Sequence, residues 1–133
     1  MKILITGGSG LLAGRLTNYL SHSNEITILS RKKISHLFDK KNIYTYTFAS
    51  LNDLSDDFIK HDIVIHASGP NHDKCNDKNL VKKYIEETKH LVNLSSRNKY
   101  VKKFIFLSSI RSVSENTSGI ITEDSLSNPV TNY

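Results

Sequence analysis

The stretch Lys2-Ile3-Leu4-Ile5-Thr6-Gly7-Gly8-Ser9-Gly10-Leu11-Leu12-Ala13-Gly14 restricts the fold more than any other part of the 133-residue chain. Ile3, Leu4 and Ile5 form an apolar run too short to cross a membrane, and it reads as a buried strand. Gly7, Gly8 and Gly10 follow where the backbone must turn sharply. Beyond them Leu12, Leu16, Tyr19 and Leu20 recur at helical spacing, so the turn leads into a helix. Gly8-Ser9-Gly10-Leu11-Leu12-Ala13 fits the pattern G-x-G-x-x-[GA]. In that pattern one glycine makes the turn, a second admits a pyrophosphate to the backbone, and a small third residue packs helix on strand. The helix would offer its free N–H groups and positive dipole end to the phosphates. An ordinary strand-to-helix turn with spare glycines is the competing reading. A Walker-type phosphate loop is excluded, because no Gly-Lys-Ser/Thr closes the run.

A chain of 133 residues suits one domain, residues 1–133, with a real core. Its 38% hydrophobic and 23% charged residues place it among soluble globular proteins. No segment has the length of a transmembrane helix, and the first residues reach glycine too early for a secretory signal. A cytoplasmic protein that does not engage membranes is expected. The single cysteine, Cys75, excludes an internal disulfide and reads as a bystander thiol. Net charge is +5, but the lysines fall in scattered pairs such as Lys32-Lys33 and Lys102-Lys103. No basic stripe interleaved with aromatics appears, so nucleic acid is not expected as a partner. The 6 histidines are dispersed, and no metal site is expected.

Further apolar runs follow at intervals. Ile26, Ile28 and Leu29 end at Ser30-Arg31, and residues 43–48 are rich in aromatic and β-branched side chains. Leu51 to Ile59 reads as a weak helix. Asp62 to Ala67 reads as a buried strand ending in Ser68-Gly69-Pro70. The longest helical pattern runs from about Asp77 to Asn98, with Val81, Tyr84, Ile85, Thr88, Leu91 and Val92 on one face. Val101 to Leu107 forms a fifth strand ending at Ser108-Ser109. This alternation predicts an α/β fold: a Rossmann-like parallel sheet of about five strands, with helices on both faces. In such sheets ligands bind beyond the carboxyl ends of the strands, where these motifs lie.

About twenty residues past the glycines, an NAD-binding chain usually places Asp or Glu to hold the ribose 2′-hydroxyl. Here Ser30-Arg31-Lys32 stand instead. A carboxylate would repel a 2′-phosphate, whereas a hydroxyl followed by two cations would accept it. NADP(H) is therefore expected over NAD(H).

With these pieces in place, the chain resembles the N-terminal part of an extended short-chain dehydrogenase/reductase of the NAD-dependent epimerase/dehydratase family. The matching residues are Thr6-Gly7-Gly8-Ser9-Gly10, Asp62-Ile63-Val64-Ile65-His66-Ala67, Phe104-Ile105-Phe106-Leu107-Ser108-Ser109-Ile110, and the segment running to Tyr133. The resemblance implies Ser109 and Tyr133 as catalytic serine and tyrosine. A phenol of lowered pKa can move the proton at a carbinol oxygen, and the serine would fix that oxygen near the nicotinamide. By the same resemblance Gly7, Ser9, Gly10, Leu11 and Leu12 line the pyrophosphate. Ala67, Ser68 and Gly69 pass beneath the ribose, and Leu107 and Ser108 lie near the nicotinamide. Ser50 and Leu51 occupy the place beside the adenine where the family often has Asp, with Asp53 close by.

The implied activity is a nucleotide-sugar epimerase or 4-keto-reductase, with a nucleotide sugar as substrate. The competing reading is a non-catalytic dinucleotide-sensing or partner-binding module of the same fold. The family's Y-x-x-x-K lysine would follow Tyr133, where this sequence stops. The expectation is therefore a cofactor-binding portion that does not turn over alone and that, with a sheet edge and an apolar face exposed, self-associates or is marginally stable.

Overall fold

The alternating apolar runs form one parallel sheet in the computed structural model, which describes residues 1–38, 40–70, 74–113 and 119–129. Its strands are β1 (Lys2–Thr6), β2 (Glu25–Ser30), β3 (Ile43–Thr47), β4 (Ile63–His66) and β5 (Lys103–Phe106). They lie in the order β3-β2-β1-β4-β5. Ile3 faces Ile26 on one side and Ile63 on the other, while Thr6 faces Leu29 and His66. The chain thus winds outward from β1 to β3, then crosses back to β4 on the far side of β1. That reversal is the place in doubly wound sheets where a crevice opens.

Strand side chains alternate between faces, and each face carries its own core. Ile3, Ile5, Ile26, Ile28 and Ile65 pack with Ala13 beneath helix α1 (Leu11–Leu20). Leu4, Leu29 and Val64 pack on the other face with Leu91 and Leu94 of helix α2 (Lys78–Arg97) and with Leu54 and Ile59. Each fully buried aliphatic side chain contributes about 1.5–3 kcal/mol. At the opposite end from the crevice, Asp62 Oδ2 accepts from the Lys2 backbone N–H at 2.9 Å, and Oδ1 meets Lys102 Nζ at 2.6 Å. The Lys102 contact, then the Lys2 bond, holds the Asp62 carboxyl below its usual range.

Several details depart from the sequence reading. A single 3-10 turn, Leu51–Asp53, replaces the weak helix expected over Leu51 to Ile59. Ser50 and Asp53 close that turn with a capping box, while Leu54 and Ile59 are both drawn into the core under α2. Helix α2 starts at Lys78, with the Asp77 carboxylate accepting from the N–H groups of Asn79 and Leu80. Its inward face is also turned relative to expectation. Glu87, Leu91, Leu94 and Ser95 are buried, whereas Ile85 and Val92 are exposed. Leu91 and Leu94, three residues apart, dock in the core and set this rotation. Tyr19 of α1 faces outward. The outer strands β3 and β5 are only partly covered, with Tyr44, Tyr46, Ile105 and Phe106 exposed. Among the described residues, no helix is long and apolar enough to cross a membrane.

Candidate functional site

The site begins where β1 ends. Gly7 has φ of +79°, a left-handed conformation, and a Cβ there would stand 2.6 Å from the Ala67 carbonyl oxygen. Only glycine fits this close approach of β1 to the end of β4. Gly8 is confined by packing: a Cβ would lie 2.2 Å from Ile28 Cγ2. The turn glycine is therefore Gly7 rather than Gly8, and the functional spacing is Gly7, Gly10, Ala13. Gly10 N–H donates to the Gly7 carbonyl at 2.8 Å and Gly10 N-caps α1, while Ala13 is buried under the helix. No side chain caps α1, and no acidic residue stands in its first turn. Its leading N–H groups are thus left facing the crevice, which suits an anion.

The floor is polar and fully organised. Thr6 Oγ1 lies 2.7 Å from His66 Nδ1, 3.3 Å from Ser68 Oγ, and 3.2 Å from the Ala67 N–H that donates to it. His66 Nε2 lies 3.0 Å from Thr88 Oγ1 of α2. Burial lowers the His66 pKa to about 4, with Glu87 opposing weakly, so the ring is neutral near pH 7. Above it, burial raises the Tyr84 phenol above its ordinary value.

These parts enclose a groove of about 440 Å³ at the carboxyl ends of β1, β2 and β4. Of the residues expected to bind a cofactor, Gly7, Ser9, Gly10, Ser30, Arg31, Leu51, Ala67, Ser68 and Gly69 all line it. Leu11 and Leu12 do not; they are exposed at the start of α1. Ser30 Oγ accepts from the Lys32 N–H at 3.1 Å, so this hydroxyl closes a turn after β2 while Lys32 stays exposed. Ser50 does not line the groove, but its Oγ donates at 2.5 Å to Oε1 of Glu87, which does.

Leu107, Ser108 and Ser109 lie beyond the groove lining, past the end of β5. The Leu107 N–H donates to the His66 carbonyl at 3.0 Å, and Ser109 Oγ accepts from the Arg111 N–H at 3.3 Å to cap a 3-10 turn. Tyr133 lies outside the described residues. Among the described residues, no cluster could hold a metal ion.

The second wall comes from residues the sequence reading missed. Leu80, Lys83, Tyr84 and Glu87 of α2 line the groove together with Phe48 and Leu51. Their signal was a helical stripe, 80-84-87-91, running on from the core face.

A parallel sheet wound both ways from β1, with this groove at the reversal, defines a Rossmann-like α/β domain. Residues 3–133 match the model of the NAD dependent epimerase/dehydratase family, and the chain belongs to that family. Among similar solved structures is UDP-N-acetylglucosamine 4-epimerase from Methanobrevibacter ruminantium M1. It has a TM-score of 0.85 and 20% identity, over 99% of this chain and 45% of that one. The UDP-glucuronic acid 4-epimerase of Bacillus cereus, solved with UDP-glucuronic acid and NAD, has a TM-score of 0.84 and 20% identity, over 99% and 47%. The UDP-Glc/GlcNAc 4-epimerase of Campylobacter jejuni has a TM-score of 0.77 and 23% identity, over 99% and 44%. The chain thus spans less than half the length of these structures. By sequence, a glutamyl-tRNA reductase of Thermoplasma acidophilum is 37% identical over 67 residues, 50% of this chain and 16% of that protein.

Proposed function

We propose that this chain is the cofactor-holding part of an NAD(P)-dependent nucleotide-sugar epimerase or 4-keto-reductase. The observation that carries the reading is the groove itself. An uncapped helix start, a glycine that admits no Cβ, and the ends of β1, β2 and β4 converge on one crevice. The residues fit a dinucleotide: Gly7, Ser9 and Gly10 would hold the pyrophosphate, and Ala67, Ser68 and Gly69 would pass beneath the ribose. Hydride exchange at a sugar carbon is the chemistry a bound nicotinamide supplies.

Arg31, at the groove edge after β2, supports a 2′-phosphate and hence NADP(H) over NAD(H). The NAD in the Bacillus cereus structure points the other way, so this preference rests on Arg31 alone. Ser109, just beyond the end of β5, is proposed to hold the substrate oxygen, and Tyr133 to move its proton. The substrate class follows the named relatives, which act on or were solved with UDP-sugars.

Calorimetric titration of the purified chain with NADPH and with NADH tests the reading. Saturable binding that favours NADPH is expected. A folded chain that binds neither would overturn it.

A further inference from the structure

Glu87 is a carboxylate in an unusual place. It lies one turn above Leu91 on the inward face of α2, is only 9% exposed, and lines the groove among Phe48, Leu51, Leu80 and Tyr84. A carboxylate desolvated in this way needs donors. The described residues provide two contacts: Ser50 Oγ at 2.5 Å, and Lys83 Nζ at 3.9 Å from the more exposed side. Both fall on Oε1. An ionised carboxylate accepts about four hydrogen bonds, so Oε2 is left for a donor arriving in the groove. The apolar neighbours suit a flat ring, and the carboxylate suits N–H groups on the edge of that ring.

We infer that Glu87 reads the base of the bound dinucleotide, accepting from the exocyclic amine of adenine, with Ser50 fixing the orientation of the carboxylate. The inference rests on the dinucleotide reading above and goes beyond it. It assigns base recognition to α2, while the side chain after β3, Ser50, takes a supporting position. It also explains why a charged residue occupies a position where the core stripe of the helix would take a leucine.

The test compares two probes, NAD and nicotinamide hypoxanthine dinucleotide, in which an oxygen acceptor replaces the amine donor and the adjacent ring N1 gains a proton. Both are titrated calorimetrically into the wild-type chain and into Glu87→Gln. The glutamine oxygen can still accept from Ser50, while its amide can donate to the hypoxanthine oxygen. The wild-type chain is expected to bind NAD about tenfold more tightly than the hypoxanthine form, the contribution of one hydrogen bond to a charged group. Glu87→Gln is expected to bring the two within about twofold. Equal affinities in the wild-type chain would overturn the assignment and leave the dinucleotide reading standing, and this comparison requires no variant to fold. Loss of affinity for both probes in Glu87→Gln at an unchanged ratio would equally overturn it, showing Glu87 to be structural. A folded wild-type chain that binds neither probe would remove both inferences together.

Discussion

The His66 imidazole lies against the Tyr84 phenol with ring centroids 5.8 Å apart and planes 12° from parallel. One ring closes the end of β4 and the other belongs to α2, so the stack joins the floor of the groove to its wall. Thr6 and Thr88 engage the two imidazole nitrogens through hydroxyls that can each donate or accept, and burial is what keeps the ring neutral.

Acid should therefore weaken the fold before the carboxylates titrate. The unfolded chain takes up a proton on this histidine near pH 6.5, and the folded chain only near pH 4. Between those values the unfolded state holds more protons, so the stability present above pH 6.5 is lost as the pH falls toward 4. At full extent the loss from His66 is up to about 3 kcal/mol. His61, lowered chiefly by burial, adds to it in the same direction. Urea midpoints measured from pH 7.5 to 4.5 should fall, and His66→Gln should flatten the slope. An unchanged slope in that variant would locate the sensitivity elsewhere.

Alanine at two glycines should act in opposite directions. Gly7→Ala places a methyl group against the Ala67 carbonyl at a positive φ, and should cost at least about 2 kcal/mol. Gly14 lies inside α1, and a Cβ there meets nothing within 4 Å. Gly14→Ala should stabilise by roughly 0.5–1 kcal/mol. Chemical denaturation of both variants checks the contrast, and a neutral Gly7→Ala would contradict the tight turn.

Arg31→Ala should weaken NADPH binding about tenfold and leave NADH nearly unchanged, because only the former carries the phosphate that a guanidinium holds. A parallel loss for both would mean that Arg31 serves the shared part of the molecule.

At the sheet edge, Phe106 is 47% exposed and Ile105 36%. Sedimentation velocity of the 133-residue chain should show association that grows with concentration, and Phe106→Lys should suppress it. A monomer at all concentrations would show that the edge is protected.

The fold was legible in the sequence because its main features are local. An apolar triplet before Gly7 and the alternation of runs dictate a doubly wound sheet without reference to any distant contact. The parts that were not legible depend on three-dimensional packing. Gly7 rather than Gly8 makes the turn because β4 passes within contact of it, and no local pattern shows where β4 lies. Val81, Ile85 and Val92 looked as fit for the core as Leu91, yet α2 is rotated by where Leu91 and Leu94 dock. Glu87 read as a solvated charge because its partner Ser50 is 37 residues away. The Ser30 hydroxyl accepts from the Lys32 N–H, a turn contact that the residue types alone do not show, while its own O–H is still a donor at the groove.

The central place of β1 bears on how a growing polypeptide reaches this sheet. Ile3 pairs with Ile26 on one side and with Ile63 on the other. A nascent chain can complete the first partnership once β2 has emerged, but the second must wait for β4. At about 5–20 residues per second, the interval between Ser30 and His66 lasts roughly two to seven seconds. Throughout it, one flank of the strand destined for the middle of the domain stays bare. During that interval a chaperone would have an unpaired strand flank to shield.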